Sequence, residues 1–189
     1  MRQAASLLSI ALIWLTASLN PAAAADAWQA ARAEGTHILM RHAIAPGTGD
    51  PADFALGDCS TQRNLSQEGR EQARRIGERL QEKRVPVAAV LTSQWCRARD
   101  TAEELDLGAP AAEPALNSFF GDRPREADQT AALKARLREL DEAGRKAVLV
   151  THQVNITALT GVFPASGEIV VISLGPNGAV TVDGRIRTE

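Results

Sequence analysis

The sequence predicts an α/β domain of three layers, α/β/α, with a mostly parallel sheet and an antiparallel hairpin at one edge. Short apolar runs at Ile38-Leu39-Met40, Val87 to Leu91 and Ala147 to Val150 have the length and composition of strands buried on both faces. Segments of helical spacing separate these runs, the alternation that builds a parallel sheet. Near the end, Glu168 to Leu174 and Ala179 to Asp183 flank Gly175-Pro176-Asn177-Gly178, the pattern of a hairpin.

Taken in order, the chain opens with Arg2 and an uncharged, mostly apolar run from Ala4 to Leu19, followed by Pro21-Ala22-Ala23-Ala24-Ala25. A basic start, an apolar stretch and an Ala-x-Ala site describe a secretory signal peptide over residues 1–25, cleaved between Ala25 and Asp26. The alternative is an uncleaved anchor, which the shortness of the run disfavours. The domain is then residues 26–189. Asp26 to Glu34 reads as a short amphipathic helix that Gly35 stops, and Thr36 to Met40 as the first strand. Pro46 to Gln62 is a loop rich in Gly, Pro and Asp.

Ser66 caps a helix from Gln67 to Lys83, with Ala73, Ile76 and Leu80 on one face. Val85-Pro86 ends it before the second strand, Val87 to Leu91, and a helix from Trp95 to Leu105 follows. Residues 108–124 read as loop with a brief strand near Ala115-Leu116. Asp128 to Ala143 is a helix whose Leu133, Leu137 and Leu140 share a face, closed by Gly144. The third strand, Ala147 to Val150, leads into Thr151-His152 and a helix running to Gly161.

With 44% hydrophobic and 23% charged residues in 189, and a net charge of -2, the composition is that of one ordinary globular domain. No general basic excess supports bulk binding to nucleic acid or to an anionic membrane, so any anion site is local. Cys59 and Cys96, in an exported chain, are either a disulfide or two thiols. Cys59 precedes Arg63 and Cys96 precedes Arg97, so a bridge between them would stiffen the wall of a site that both arginines face.

Right-handed crossovers bring the carboxyl ends of the three strands to one edge, where open α/β sheets place ligands. Those ends carry Arg41-His42, Ser93 with nearby Arg97, and His152. Two imidazoles among guanidinium groups make a pocket whose natural guest is phosphate. A neutral imidazole attacks phosphorus, and a second, protonated one donates to an equatorial oxygen. Amides at the start of the helix after His152 add a favourable dipole.

These residues resemble the histidine phosphatase superfamily, in its phosphoglycerate mutase-like branch, and a small exported bacterial member in particular. Leu39-Met40-Arg41-His42-Ala43 is similar to the Arg-His-Gly signature, and Leu65 to Ala73 to the Leu-Thr-x-x-Gly-x-x-Gln-Ala segment. Ser93 to Thr101 matches Ser-x-x-x-Arg-Ala-x-x-Thr, and Val150-Thr151-His152 resembles the second-histidine strand. The resemblance implies that His42 is the phosphorylated nucleophile, that Arg41 and Arg97 clamp the phosphate, and that His152 completes the pocket. Arg63 is an extra phosphate or substrate ligand by the same token, or else an exposed loop arginine.

The sequence departs from the family in two places. Ala43 stands for the motif glycine, and Gln153 follows the second histidine where acid phosphatases carry Asp. Gln cannot supply a titrating proton. Asp122 and Glu126 are the nearest candidate proton donors, and Asp50 or Asp53 can reach in from the first loop. His37, at the other end of its strand, is structural, and Arg70 and Arg99 are solvated charges or partners of acids. Phe119, Phe120 and Trp95 belong to the core or to the substrate wall, with the core favoured.

The expected activity is a phosphomonoesterase, periplasmic or otherwise exported, working without metal or cofactor on a small-molecule or envelope-sugar phosphate ester. Neither nucleic acid nor, after signal cleavage, a membrane is an expected partner. The alternative is a non-catalytic phosphate-binding module on the same fold. A metal hydrolase would need His37, His42 and His152 to converge.

Overall fold

The computed structural model describes residues 21–188; residues 1–20, most of the expected signal peptide, lie outside the described residues. Helix α1 (Pro21–Arg32) is followed by strand β1 (Thr36–Arg41), α2 (Gln67–Glu82), β2 (Ala89–Thr92), α3 (Cys96–Glu104) and β3 (Pro110–Ala112). Next come α4 (Glu126–Glu142), β4 (Ala147–Thr151), α5 (Gln153–Thr160), β5 (Ile169–Leu174) and β6 (Val180–Ile186). The strands form one six-stranded sheet in the order β3-β2-β4-β1-β5-β6. β3, β2, β4 and β1 are parallel, while β5 runs antiparallel to both β1 and β6. This is the three-layer architecture with an antiparallel edge hairpin that the sequence predicts.

Alternation along the strands separates two cores. Ile38 and Met40 of β1, with Val148 and Val150 of β4, face Trp28 and Ala31 of α1, Ile76 and Leu80 of α2, and Ala98 and Ala102 of α3. Leu39 and Leu149 face the other way, toward Leu133, Leu137 and Leu140 of α4 and Ile156 and Leu159 of α5. A strand buried on both faces needs apolar residues at every position, which is why these runs lack polar alternation.

Several boundaries differ from those read in the sequence. α1 begins at Pro21 and ends at Arg32, so the expected cleavage junction at Ala25 falls within it. The brief strand expected near Ala115-Leu116 is instead a 3-10 turn, Pro114–Leu116, capped by Glu113; the extended segment is β3, a few residues earlier. Proline fixes φ for a turn and removes an amide that a sheet would use. Phe119 is buried in the core as favoured, whereas Phe120 is exposed. Cys59 and Cys96 are joined in a disulfide with Cα atoms 5.7 Å apart, tying the long loop after β1 to the first turn of α3. None of the described helices is long and apolar enough to cross a membrane.

Candidate active site

The carboxyl ends of β1 and β4, with the start of α3, open into a cavity of about 460 Å³ whose lining includes Arg41, His42, Asp50, Arg63, Arg97 and His152. The six come from two strand ends, a helix start and the loop between β1 and α2, so topology alone gathers them. His42 continues β1 by donating its backbone N–H to Thr151 O at 2.9 Å, which fixes it beside the end of β4. The imidazoles of His42 and His152 meet edge to face with centroids 5.4 Å apart.

The motif segments act by holding the chain around His42. Gly69, in the first turn of α2, lies so close to Ile44 that a Cβ there would sit 2.0 Å from its carbonyl oxygen. Only glycine permits that approach. Gln72 accepts the Ile44 N–H at 3.1 Å and donates to the carbonyls of Ser166 and Thr188. Thr101 accepts the Ala43 N–H at 3.0 Å while donating to Arg97 O at 2.7 Å, so one hydroxyl couples the residue after His42 to the helix that carries Arg97. The roles of Gln72 and Thr101 were missed in the sequence, although both stand in the quoted motifs.

Nδ1 of His42 lies 2.8 Å from its neighbour's carbonyl, Ala43 O. A carbonyl only accepts, so Nδ1 carries the proton and Nε2 carries the lone pair. Burial, then the charge of Arg97, lowers the His42 pKa to about 3, despite the opposing bond to Ala43 O. The ring is therefore neutral at neutral pH, the state a nucleophile needs.

His152 is also driven well below the usual imidazole range, by burial first and then by Arg97 and His42. The expectation of a protonated second imidazole is corrected accordingly: guanidinium neighbours make a further positive charge costly in the free pocket. Its Nε2 lies 2.8 Å from Ser93 Oγ. When Ser93 donates to Nε2, Nδ1 keeps its proton and can serve a phosphate oxygen with the ring uncharged.

Arg97 is almost fully buried, and the Nε atoms of both Arg41 and Arg97 are buried without a hydrogen-bond partner among the described residues. Arg41 Nη1 donates to Pro164 O at 3.0 Å. Arg63 lines the cavity but spends Nε on Gly49 O, at 2.9 Å, and Nη1 on Ala45 O, organising the loop that carries Asp50. Burial, followed by the charge of Arg97, lowers its pKa to about 10.

Asp122 and Glu126, the nearest proton-donor candidates in the sequence, are exposed and do not line this cavity; Glu126 pairs with Arg123 at 3.4 Å. Asp53 is exposed and outside the lining as well. Asp50 does line it, bonded to Arg97 and Trp95. Trp95 lies half-buried behind the cavity lining instead of in the core: its ring packs edge-on against His152 at 5.6 Å. Phe120 and Phe163, 48% and 70% exposed, stand at the mouth with Arg123 and Gln153.

His37 lies at the far end of β1, where Nε2 bonds Asp141 at 3.0 Å, so the three histidines do not converge. Among the described residues, no three His, Cys, Asp or Glu side chains are grouped to hold a metal ion.

Fold and site together define an α/β protein with a paired-histidine, arginine-lined pocket at the carboxyl edge of its parallel strands. Residues 38–118, a little under half of the chain, match the family model described as histidine phosphatase superfamily (branch 1). The structure is similar to that of the protein histidine phosphatase SixA complexed with tungstate, with a TM-score of 0.60 and 24% identity, covering 81% of this chain and 97% of that one. A mycobacterial glucosyl-3-phosphoglycerate phosphatase gives 0.58 at 18% identity, covering 80% and 98%. YhfR of Bacillus stearothermophilus gives 0.56 at 21%, covering 78% and 94%. At these identities the likeness is one of fold. No curated protein matches the chain in sequence.

Proposed function

We propose that the protein is an exported, metal-independent phosphomonoesterase that works through a phosphohistidine on His42. The observation that carries this reading is the state of His42. Its Nδ1–H is engaged by Ala43 O and the ring is kept neutral, so the lone pair of Nε2 belongs to a pocket walled by arginines. Nε2 attacks phosphorus, the bond from phosphorus to the leaving oxygen breaks, and water later displaces the phosphoryl group from nitrogen. Arg41 and Arg97, which line the cavity, are suited to the phosphoryl oxygens. His152 donates to a further oxygen.

The organic part of the ester lies toward Phe120, Phe163 and Arg123 at the mouth. That wall fits a small-molecule or envelope-sugar phosphate better than a nucleic acid, which would call for a broad basic surface. Export is supported by the Cys59–Cys96 bridge, which suits an oxidising compartment.

Turnover of a panel of phosphate esters by purified residues 26–189 tests the reading. Wild type should hydrolyse at least an activated aryl ester, and His42→Ala should lose about a thousandfold or more in kcat. Undiminished turnover in His42→Ala would contradict it.

A further inference from the structure

Asp50 is the one carboxylate among the residues lining the cavity, and it sits in the arginine fork that a phosphate needs. Arg97 Nη1 donates to Asp50 Oδ1 at 2.5 Å and Nη2 to Oδ2 at 3.1 Å; Trp95 Nε1 donates to Oδ2 at 3.0 Å. Trp95 is fixed in turn by stacking on Phe54, with centroids 5.0 Å apart, and by its edge contact with His152. Asp50 therefore touches both Arg97 and the indole that packs against the second histidine.

A phosphoryl group and a carboxylate cannot both fill that fork. Phosphate arriving on Arg97 breaks two charge-assisted bonds to Asp50 and leaves its carboxylate facing oxyanions. A carboxylate that loses its cation and gains a like-charged neighbour binds a proton. In the free pocket the balance is the reverse: burial pushes the Asp50 carboxyl up, but the bonds and charge of Arg97, with the Trp95 N–H, outweigh it and keep the carboxyl below its ordinary range. The loop that carries Asp50 has left-handed backbone at Gly47 and Gly49, with φ of 92° and 71°, and it hangs on Arg63 through two carbonyls.

Resting on the phosphatase reading above, we propose that substrate phosphate displaces Asp50 from Arg97, and that Asp50, once released, is the acid that protonates the leaving oxygen. The protons balance. A monoanionic ester passes its proton to Asp50 as it takes the fork, Nε2 of His42 forms the bond to phosphorus, and the leaving oxygen departs with the Asp50 proton as an alcohol. The Asp50 carboxylate then takes a proton from the water that attacks phosphohistidine and hands it to the departing inorganic phosphate, so that neutral His42 and the Asp50 carboxylate on Arg97 are both restored. Other acids are poorly placed: Asp122 and Glu126 are exposed and off the cavity, and Gln153 does not titrate.

The test compares two esters, 4-nitrophenyl phosphate, whose leaving group needs no proton, and 2-phenylethyl phosphate, whose alkoxide does. Inorganic phosphate serves as competitive inhibitor. Asp50→Asn keeps the shape of the side chain, and is expected to lose about a hundredfold in kcat on the alkyl ester and far less on the aryl ester. The same variant should bind inorganic phosphate several-fold more tightly, because a neutral amide no longer competes for Arg97. Asp50→Glu should recover part of the alkyl-ester rate. Equal losses on the two esters, or phosphate inhibition that is unchanged or weaker, would overturn the assignment. A wild type inactive on both esters would overturn the phosphatase reading itself, and this inference with it.

Discussion

At the amino end of the parallel strands, His37 lies with Asp141, Arg145 and Lys146 around a cavity of about 580 Å³. At the carboxyl end, His42 and His152 lie with Arg41, Arg63 and Arg97 around one of about 460 Å³. The residue types are alike, but the bonding is not. His37 Nε2 bonds Asp141 and its Nδ1 accepts the Ala147 N–H at 3.2 Å, while Lys146 Nζ donates to Ala33 O, Thr36 O and Thr36 Oγ1. These partners all belong to the fold, so the cluster joins α1, β1, α4 and β4. At the carboxyl end two guanidinium Nε atoms have no partner among the described residues, and Asp50 is the single acid in a lining that holds four arginines. A buried donor without an acceptor is costly, and a site bears that cost where a ligand supplies the acceptor. Satisfaction of polar atoms, more than their identity, separates the structural histidine from the pair proposed to react.

Substitution at each end should give opposite signatures. Arg97→Ala is expected to lower turnover about a hundredfold to a thousandfold, and Arg97→Lys to rescue it poorly, since a point charge cannot replace a two-pronged fork. The bridge that secures this end contributes stability: Cys59→Ser with Cys96→Ser should cost about 2–4 kcal/mol in denaturant melts. A variant as stable as wild type would remove the disulfide from the account. At the amino end, His37→Ala should cost about 1–3 kcal/mol, leaving Asp141 and the Ala147 amide without their partner, while kcat stays near wild type. A large loss of kcat with unchanged stability would reverse the contrast between the two ends.

Acidification separates the ends less sharply, because all three imidazoles are lowered, with burial the largest cause at each. Between pH 6.5 and about 3 the unfolded chain protonates at these histidines while the buried rings resist. Stability should therefore fall as pH drops through that window, by about 2 kcal/mol at pH 5 from His42 alone. Thermal melts at pH 7 and pH 5 check the sign, and a protein more stable at pH 5 would contradict it.

The sequence made the strand ends legible because buried parallel strands advertise themselves as apolar runs that stop at Arg41-His42, Thr92-Ser93 and Thr151-His152. It also made legible which face of α2 and α4 is buried, since helical spacing is a local signal. Asp50 was only one of several loop acids, because its position depends on contacts remote in sequence: the Arg63 bonds to Gly49 and Ala45, and the disulfide from Cys59 to α3. The electrostatic state of His152 was hidden for a related reason. A sequence shows that arginines are present, but not that burial and their charge act together on one imidazole.

The central claim is a covalent bond between phosphorus and Nε2 of His42. Intact-protein and peptide mass spectrometry after mixing with an aryl phosphate and quenching in alkali, which preserves phosphohistidine, tests it directly. The account predicts one added phosphoryl group on the peptide bearing His42 in wild type and none in His42→Ala. A protein that turns over the ester while His42 stays unmodified, or that carries the label on His152, would contradict it.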